Sequence, residues 1–350
     1  MVSKDPRKPV IAILIALCVL VEAYAATLSI EEDDVILFLE LDEILHHHGR
    51  ISTDRSNENS LRLLSLNLNR FFDDVDNGNN EKVVPTRHFT RRIDSTVTAL
   101  AERFGLPDIV VLQEVENRNV LQHLSEEIWY RYRTSYRTVL LPGPDVSGIN
   151  LGYLVQSDLQ VRQSKQLFAE QTLDYDSSPL FSRPPLLLET CRRDKCFTLI
   201  NLHLRSMRGI NDPREGERVR LKRREQAETI AAWSNRFQRD QSGKSLILVG
   251  DLNALNPSDE HVDVAGILRG NPDNRQTRLP GRDLLEPDLI DLSARIPANK
   301  RYSYIYRKRK QQLDYLLVNQ NFAAELDSIA FGRIDKRLSD HAALYAHFKW

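Results

Sequence analysis

Six apolar runs in this chain end or begin on a residue that can do chemistry, and this pattern restricts the fold more than any other feature. "LLSLNLN" ends at Asn67 and Asn69, "DIVVLQE" ends at Glu114, and "TLINLHL" carries His203. "LILVGDLN" carries Asp251 and Asn253, "QLDYLLV" opens on Asp314, and "SDHAAL" opens on Asp340 and His341. Short runs rich in Leu, Val and Ile read as buried strands. Between them lie stripes with helical spacing. Phe89, Ile93, Val97, Leu100 and Phe104 share one side of a helix that Gly105 and Pro107 stop. Val120, Leu121, Leu124 and Ile128 mark a second helix, and Val219, Gln226, Ile230, Trp233 and Phe237 a third. Strands outnumber helices, yet the helices suffice to cover two sheets, so the expected fold is an α/β layered sandwich in one domain.

Taken singly, each polar strand end has an ordinary explanation. Asn and Asp form turns, and a lone strand histidine is usually hydrogen-bonded in a core. The set changes this reading, because a two-sheet sandwich gathers strand ends along one edge. Within "LILVGDLNAL", Gly250 is expected to break the strand and present Asp251 and Asn253 at that edge.

The first 25 residues follow a different logic. Lys4, Arg7 and Lys8 precede an apolar run from Val10 to Val21, and Ala23-Tyr24-Ala25 offers a small-residue cleavage site. The run is short for a bilayer span, so residues 1–25 read as a secretory signal peptide. The mature protein is then expected in the periplasm or outside the cell, without a stable membrane anchor and as a monomer. Export gives Cys191 and Cys196 a meaning. They flank "RRDK" between two strand-like runs, and in an oxidising compartment a pair facing across a hairpin forms a disulfide. No second cysteine pair is present to complete a four-ligand metal site.

Charge is uneven. Residues 26–43 hold seven acids and no base, within an acidic segment and polar linker spanning 26–60. Residues 44–350 carry a net charge of +5, which permits a polyanionic partner. Basic residues concentrate after His203, from Arg205 to Arg224, and in "KRYSYIYRKRK" before Asp314. There Tyr302, Tyr304 and Tyr306 alternate beside Arg307, Lys308, Arg309 and Lys310. Tyrosines two apart share a strand face and can stack on bases or contact a phosphate backbone. No G-x-S-x-G motif is present, which disfavours a serine hydrolase.

Asn67 in "LNLNRFFDD", Glu114 in "VLQEVEN", His203 in "NLHLRS", Asp251 and Asn253 in "GDLNA", Asp314 in "QLDYLLV" and Asp340-His341 in "SDHAAL" occur in one order. That order resembles the endonuclease/exonuclease/phosphatase superfamily of deoxyribonuclease I, in particular its bacterial secreted members, over residues 61–350. Asn69 departs from the pattern, since many members carry Glu or Asp there. The resemblance implies a four-layer sandwich of two mixed β-sheets flanked by helices. It implies a divalent-metal-dependent phosphoesterase, with Mg²⁺ or Mn²⁺ held by Asn67, Glu114 and Asp340. Asp251 would orient or deprotonate the attacking water, and Asn253 would donate to a phosphate oxygen. His341, backed by Asp314, and His203 would serve the phosphoryl group. Oxygen ligands suit Mg²⁺, which uses one or two carboxylates and keeps several waters. The expected substrate is nucleic acid, DNA or RNA, contacted by Arg205, Arg307, Lys308 and Arg309. The alternatives are a phosphomonoesterase, a sphingomyelinase-type phospholipase of the same fold, and a catalytically idle binding module.

Overall fold

In the inter-sheet rows of the central strands, apolar residues give way to polar ones toward the same end of the molecule. This is seen in a computed structural model that describes residues 59–78, 82–256 and 259–350. The expected signal peptide (1–25) and nearly all of the 26–60 segment lie outside the described residues. No described helix is long and apolar enough to cross a membrane.

The elements follow in order: β1 (Ser60–Phe71), α1 (Thr86–Phe104), β2 (Ile109–Val115), α2 (Arg118–Tyr132), β3 (Tyr136–Leu140), β4 (Asn150–Gln156), β5 (Gln160–Gln166) and β6 (Leu186–Arg192). Next come β7 (Lys195–His203), α3 (Gly216–Asp240), β8 (Ser245–Asp251), α4 (Val264–Arg269), β9 (Ile290–Asp291), β10 (Tyr304–Tyr306) and β11 (Arg309–Gln311). The chain closes with β12 (Asp314–Val318), α5 (Gln320–Ala323), β13 (Leu326–Gly332) and β14 (Ala343–Lys349). One six-stranded sheet has the order β13-β14-β1-β2-β4-β3, the other β5-β6-β7-β8-β12-β9, and β10-β11 form a separate hairpin. Both large sheets are mixed: β1 and β2 run parallel, as do β7 and β8, and their other neighbours are antiparallel.

Three apolar layers hold the sheets and helices together. Leu63, Val111, Tyr153, Leu199, Val249 and Leu316 meet between the sheets. Leu64, Leu66, Val110 and Leu112 point the other way, onto Phe89, Ile93 and Val97 of α1 and Leu121 and Leu124 of α2. Ile200, Leu202, Leu248 and Tyr315 face Ala227, Ile230 and Ala231 of α3 and Ile267 of α4. This is the four-layer α/β sandwich expected from the sequence. α1 stops at Gly105, whose positive φ of 63° lets its own N–H reach the Ala101 carbonyl and the Leu106 N–H reach the Leu100 carbonyl. Two strands escape a reading of apolar runs. β5 (QVRQSKQ) is largely polar and exposed, and β13 is partly exposed, because each lies at a sheet edge.

The period-2 alternation of a strand explains how the fold builds a polar end. On β1 the inter-sheet row reads Leu61, Leu63, Ser65, Asn67; on β7 it reads Phe197, Leu199, Asn201, His203; on β8 it reads Ile247, Val249, Asp251. β12 runs antiparallel to β8 and contributes Asp314 opposite Asp251. Where the row turns polar, Gln113 Nε2 donates to Asn201 Oδ1 (2.8 Å) across the sheets, and Asn201 Nδ2 donates to the Leu112 and Gly152 carbonyls. These amides satisfy buried backbone and side-chain groups beneath the site.

Cys191 and Cys196 form a disulfide across the β6–β7 hairpin, with Cα atoms 4.0 Å apart. That hairpin lies at the opposite end of β7 from His203.

Candidate active site

Gly250 does not break its strand. β8 runs on through Asp251, and Gly250 pairs with Leu202 on one side and Tyr315 on the other. It is glycine because φ is 135° and because a Cβ there would stand 2.1 Å from the Leu202 carbonyl oxygen. The missing side chain lets β7 approach closely and sets His203 directly opposite Asp251.

A β-bulge does the equivalent work on β2. Against β4, Gln113 pairs with Leu151 and Val115 with Asn150, leaving Glu114 as the extra residue, with φ at 59°. Simple alternation would send Glu114 outward with Val110 and Leu112; the bulge re-aims it inward. Asn69, Arg70 and Asn253 also have positive φ (47°, 57° and 50°). Non-glycine residues in this region are uncommon and cost on the order of 1–3 kcal/mol each. Four of them therefore stand at the ends of the strands that carry the site.

The side chains meet as follows. Asn67 Nδ2 donates to Glu114 Oε1 and to Asp251 Oδ2, each at 3.1 Å. Its oxygen accepts the Asn69 N–H (2.9 Å), so in this arrangement Asn67 binds carboxylates rather than offering its oxygen to a cation. His203 Nε2 lies 3.6 Å from Asp251 Oδ2 and 3.8 Å from Glu114 Oε1. His341 Nδ1 donates to Asp314 Oδ2 at 2.7 Å, and its Nε2 lies 3.8 Å from Asp251 Oδ2. The Asn253 N–H donates to Asp251 Oδ1 (2.8 Å), and its Nδ2 donates to the Leu204 carbonyl (3.1 Å). Ser339 Oγ donates to the Asn67 carbonyl (2.5 Å) and accepts the His341 N–H (2.9 Å), tying the last loop to the first strand. Asp340 is exposed beside His341, and its charge reaches both His341 and Tyr304.

Burial and like charge govern the protonation states. Burial raises Asp251 to about 7; Asp314 and Glu114 push in the same direction, while His341 and the Asn253 N–H oppose them. Burial alone would lower His341, but Asp314 and Asp251 outweigh it and raise the imidazole to about 10. His203 is held well below the ordinary histidine range by burial, with Arg183 and His341 adding to the effect. The two histidines are thus pushed in opposite directions, His341 toward the cation and His203 toward the neutral imidazole.

This donor set fits a divalent cation. Three carboxylates crowd a buried site in which Asp314 Oδ1 and His203 Nδ1 have no hydrogen-bond partner, and Asp251 is raised by burial with its acidic neighbours adding to the effect. Ligand atoms of Asp251, Asp314 and His341 lie within 4.8 Å of one another. A protonated imidazole has no lone pair for a metal, so His341 and Asp314 act better as an acid pair, which leaves Glu114 as the open carboxylate. A cation held by Glu114 would supply Lewis-acid polarisation and neutralise phosphoryl charge.

Sequence reasoning missed two arginines and misread a third. Arg183, on the loop before β6, pairs with Asp145 (2.5 Å) and reaches the His203 and Leu204 carbonyls. Arg92 donates to carbonyls at the end of β1. Neither stands near a catalytic residue in sequence, so no motif marks them. Arg223 belongs to the basic run that follows His203 in the sequence, yet it is fully buried. It pairs with Asp259 (3.0 Å) and donates to the Asn253 carbonyl (2.9 Å), so it supports the Asn253 turn. Lys222 is also buried and donates to the Pro179 carbonyl. Arg205 stays partly accessible, its guanidinium bonded to Ser206 and the Arg208 carbonyl. Arg307 and Lys308, both with positive φ, form the exposed tip of the β10–β11 hairpin, and Arg309 is exposed beside them. At the base of that hairpin the Tyr304 ring lies 5.1 Å from His341.

A carboxylate-rich strand-end site with an Asp-backed cationic histidine, at the edge of a two-sheet sandwich, defines the class: a metal-dependent phosphoester hydrolase. Residues 65–337 match the Endonuclease/Exonuclease/phosphatase family, and the chain belongs to it. Among solved structures, humanized D. rerio TDP2 aligns with a TM-score of 0.55 at 18% identity, over 83% of this chain and 99% of that one. D. rerio TDP2 complexed with a single strand DNA product gives 0.54 at 17% identity, with 83% and 99% covered. The endonuclease/exonuclease/phosphatase from Bacteroides vulgatus gives 0.51 at 17%, with 83% and 98% covered. At these identities the likeness is one of fold. No curated protein matches the chain significantly in sequence.

Proposed function

We propose that this protein is a nuclease that hydrolyses phosphodiester bonds in DNA or RNA, with Mg²⁺ or Mn²⁺ as cofactor, in an exported location. The observation that carries the substrate class is the β10–β11 hairpin. Tyr304 at its base lies beside His341, while Tyr306, Arg307, Lys308, Arg309 and Lys310 are exposed along it. Lys310 Nζ lies 4.3 Å from the Tyr302 ring and the Arg307 guanidinium 5.3 Å from the Tyr306 ring, so cations and aromatic faces are interleaved. A single strand threaded past His341 would meet both stacking surface and phosphate-binding charge. The DNA-bound D. rerio TDP2 on the same fold is consistent with this reading.

In the reaction, Asp251 receives the proton of the attacking water, while the Asn253 N–H fixes the carboxylate. His341, held as a cation by Asp314, faces the developing phosphoryl charge, and His203 stands across Asp251 to bind a phosphoryl oxygen. Glu114, with Asp340 on the rim, would hold the cation.

Exposed Ile305 and Tyr306 on the same hairpin favour a second reading, in which it rests on a lipid surface and the substrate is a phospholipid. One panel separates them: purified protein with Mg²⁺ or Mn²⁺ on plasmid DNA, RNA, sphingomyelin, an inositol phosphate and a simple phosphomonoester. DNA or RNA cleavage is expected. It should weaken with salt, by about 0.9 log units per log unit of salt for each duplex phosphate neutralised. Changing Arg307, Lys308, Arg309 and Lys310 together to Ser should flatten that slope and spare a small phosphodiester. Hydrolysis of another phosphoester with nucleic acid left intact would overturn the nuclease reading.

A further inference from the structure

Arg92 sits on α1, behind the catalytic strand ends, and serves an unusual number of main-chain oxygens. Its Nη1 donates to the Arg70 carbonyl at 3.1 Å. Its Nη2 reaches the Leu68 carbonyl, the Asn69 carbonyl at 3.0 Å and the Leu338 carbonyl at 3.1 Å. The guanidinium carbon lies 4.4 Å from the centre of the Phe71 ring, which is itself fully buried and packs on Phe89. One flat cation is therefore held against an aromatic face while its edge gathers four carbonyls from two separate segments.

Those segments are the two that the site depends on. Leu68, Asn69 and Arg70 are the irregular stretch of β1 after Asn67, where its register with β2 shifts, with Asn69 and Arg70 both at positive φ. Two consecutive non-glycine residues in that conformation persist only where their surroundings hold them. The Asn69 N–H in turn orients Asn67, whose Nδ2 spans Glu114 and Asp251. Leu338 opens the run Leu338-Ser339-Asp340-His341, in which Ser339 already bonds the Asn67 carbonyl. Arg92 also feels the Glu114 charge, which partly offsets the effect of burial on the guanidinium.

We propose that Arg92 is a positioning residue of the active site, fixing the irregular Asn67–Arg70 stretch of β1 against the Leu338–His341 loop and thereby the geometry of Glu114 and the cation site. The role belongs to arginine in particular. Lysine offers a single ammonium and no planar fork, so it cannot serve four carbonyls while stacking on Phe71. The inference rests on the hydrolase site and holds whether the substrate is nucleic acid or another phosphoester.

The test compares wild-type protein with Arg92→Met, Arg92→Lys and a control, Arg62→Met. Arg62 lies at the other end of β1, where it bonds the Gly105 carbonyl and Asp108, so its loss affects stability remote from the site. Mn²⁺ binding is measured by titration calorimetry without substrate, and kcat and KM on a small phosphodiester. Arg92→Met should weaken Mn²⁺ binding roughly tenfold or more and lower kcat by a similar factor, as for the loss of groups that orient metal ligands. KM should change little, Arg92→Lys should recover only part of the loss, and Arg62→Met should bind Mn²⁺ like wild type. If Arg92→Met does not fold, Arg92→Lys carries the same readouts. Unchanged Mn²⁺ affinity in a folded Arg92 variant, or weakening equal to that of Arg62→Met, would overturn the proposal alone. Absence of Mn²⁺ binding by wild-type protein would overturn it together with the cation assignment.

Discussion

Gly250→Ala tests how tightly the architecture is coupled to the chemistry. The added Cβ would lie 2.1 Å from the Leu202 carbonyl oxygen and 3.0 Å from its nitrogen. Ordinary van der Waals contact begins near 3.4 Å, so β7 and β8 must part locally by roughly an ångström. The backbone also holds φ at 135°, which costs a residue with a side chain about 1–3 kcal/mol. Forcing a methyl into a closed strand pair adds roughly 1–3 kcal/mol. The sum is a destabilisation of about 2–6 kcal/mol. The displaced pair is followed immediately by His203 opposite Asp251, so the movement passes to two site residues. A misplacement of about 1 Å can cost on the order of 100-fold in rate. Urea unfolding would measure the stability loss, and kcat, taken where the variant remains folded, the catalytic loss. A variant within about 1 kcal/mol of wild type and within threefold in kcat would show that the close approach of β7 neither constrains the fold nor aligns the site.

Asp314→Asn keeps the shape beside His341 but removes the charge that holds it cationic, so kcat should fall roughly 100-fold while the unfolding curve moves little; unaltered kcat would contradict the dyad. Asp251→Ala and His341→Ala should each lower hydrolysis by roughly 100-fold or more, and circular dichroism should show the fold retained. Activity should be lost in EDTA and restored by Mg²⁺ or Mn²⁺, and Glu114→Gln should raise the metal concentration giving half-maximal rate; full activity in excess chelator would exclude a metal role. Replacing Cys191 and Cys196 by Ser should cost about 2 kcal/mol in thermal or chemical unfolding. Turnover should survive, because seven residue steps along β7, roughly 23 Å at about 3.3 Å each, separate Cys196 from His203; a matching loss of kcat would show that the hairpin acts on the site.

What was legible in the sequence was whatever depends on neighbours along the chain. The stripe from Phe89 to Leu100 specified α1, and apolar runs specified β1, β2, β7, β8, β12 and β14. Their polar ends named Glu114, His203, Asp251, Asp314 and His341, because a strand exposes its end residues at a fixed edge. The Cys191–Cys196 pairing followed for the same reason, from two runs joined by a short turn. Edge strands β5 and β13 were not legible, since a strand packed on one side needs little apolar patterning.

Tertiary structure decided what depends on residues far apart in the chain. The bulge that turns Glu114 inward exists only because β4 offers one residue fewer than β2 at that point. Gly250 reads as a strand breaker until Leu202 is set against it, when it becomes the point where β7 comes close. Arg223 belongs to a basic run yet is buried, because Asp259 and the Asn253 carbonyl meet it from other segments. Arg92 has no motif, since its carbonyl partners reach as far as Leu338. Hydrogen bonding to main-chain oxygens is indifferent to which side chains those residues carry, so only the folded backbone could place them around one guanidinium.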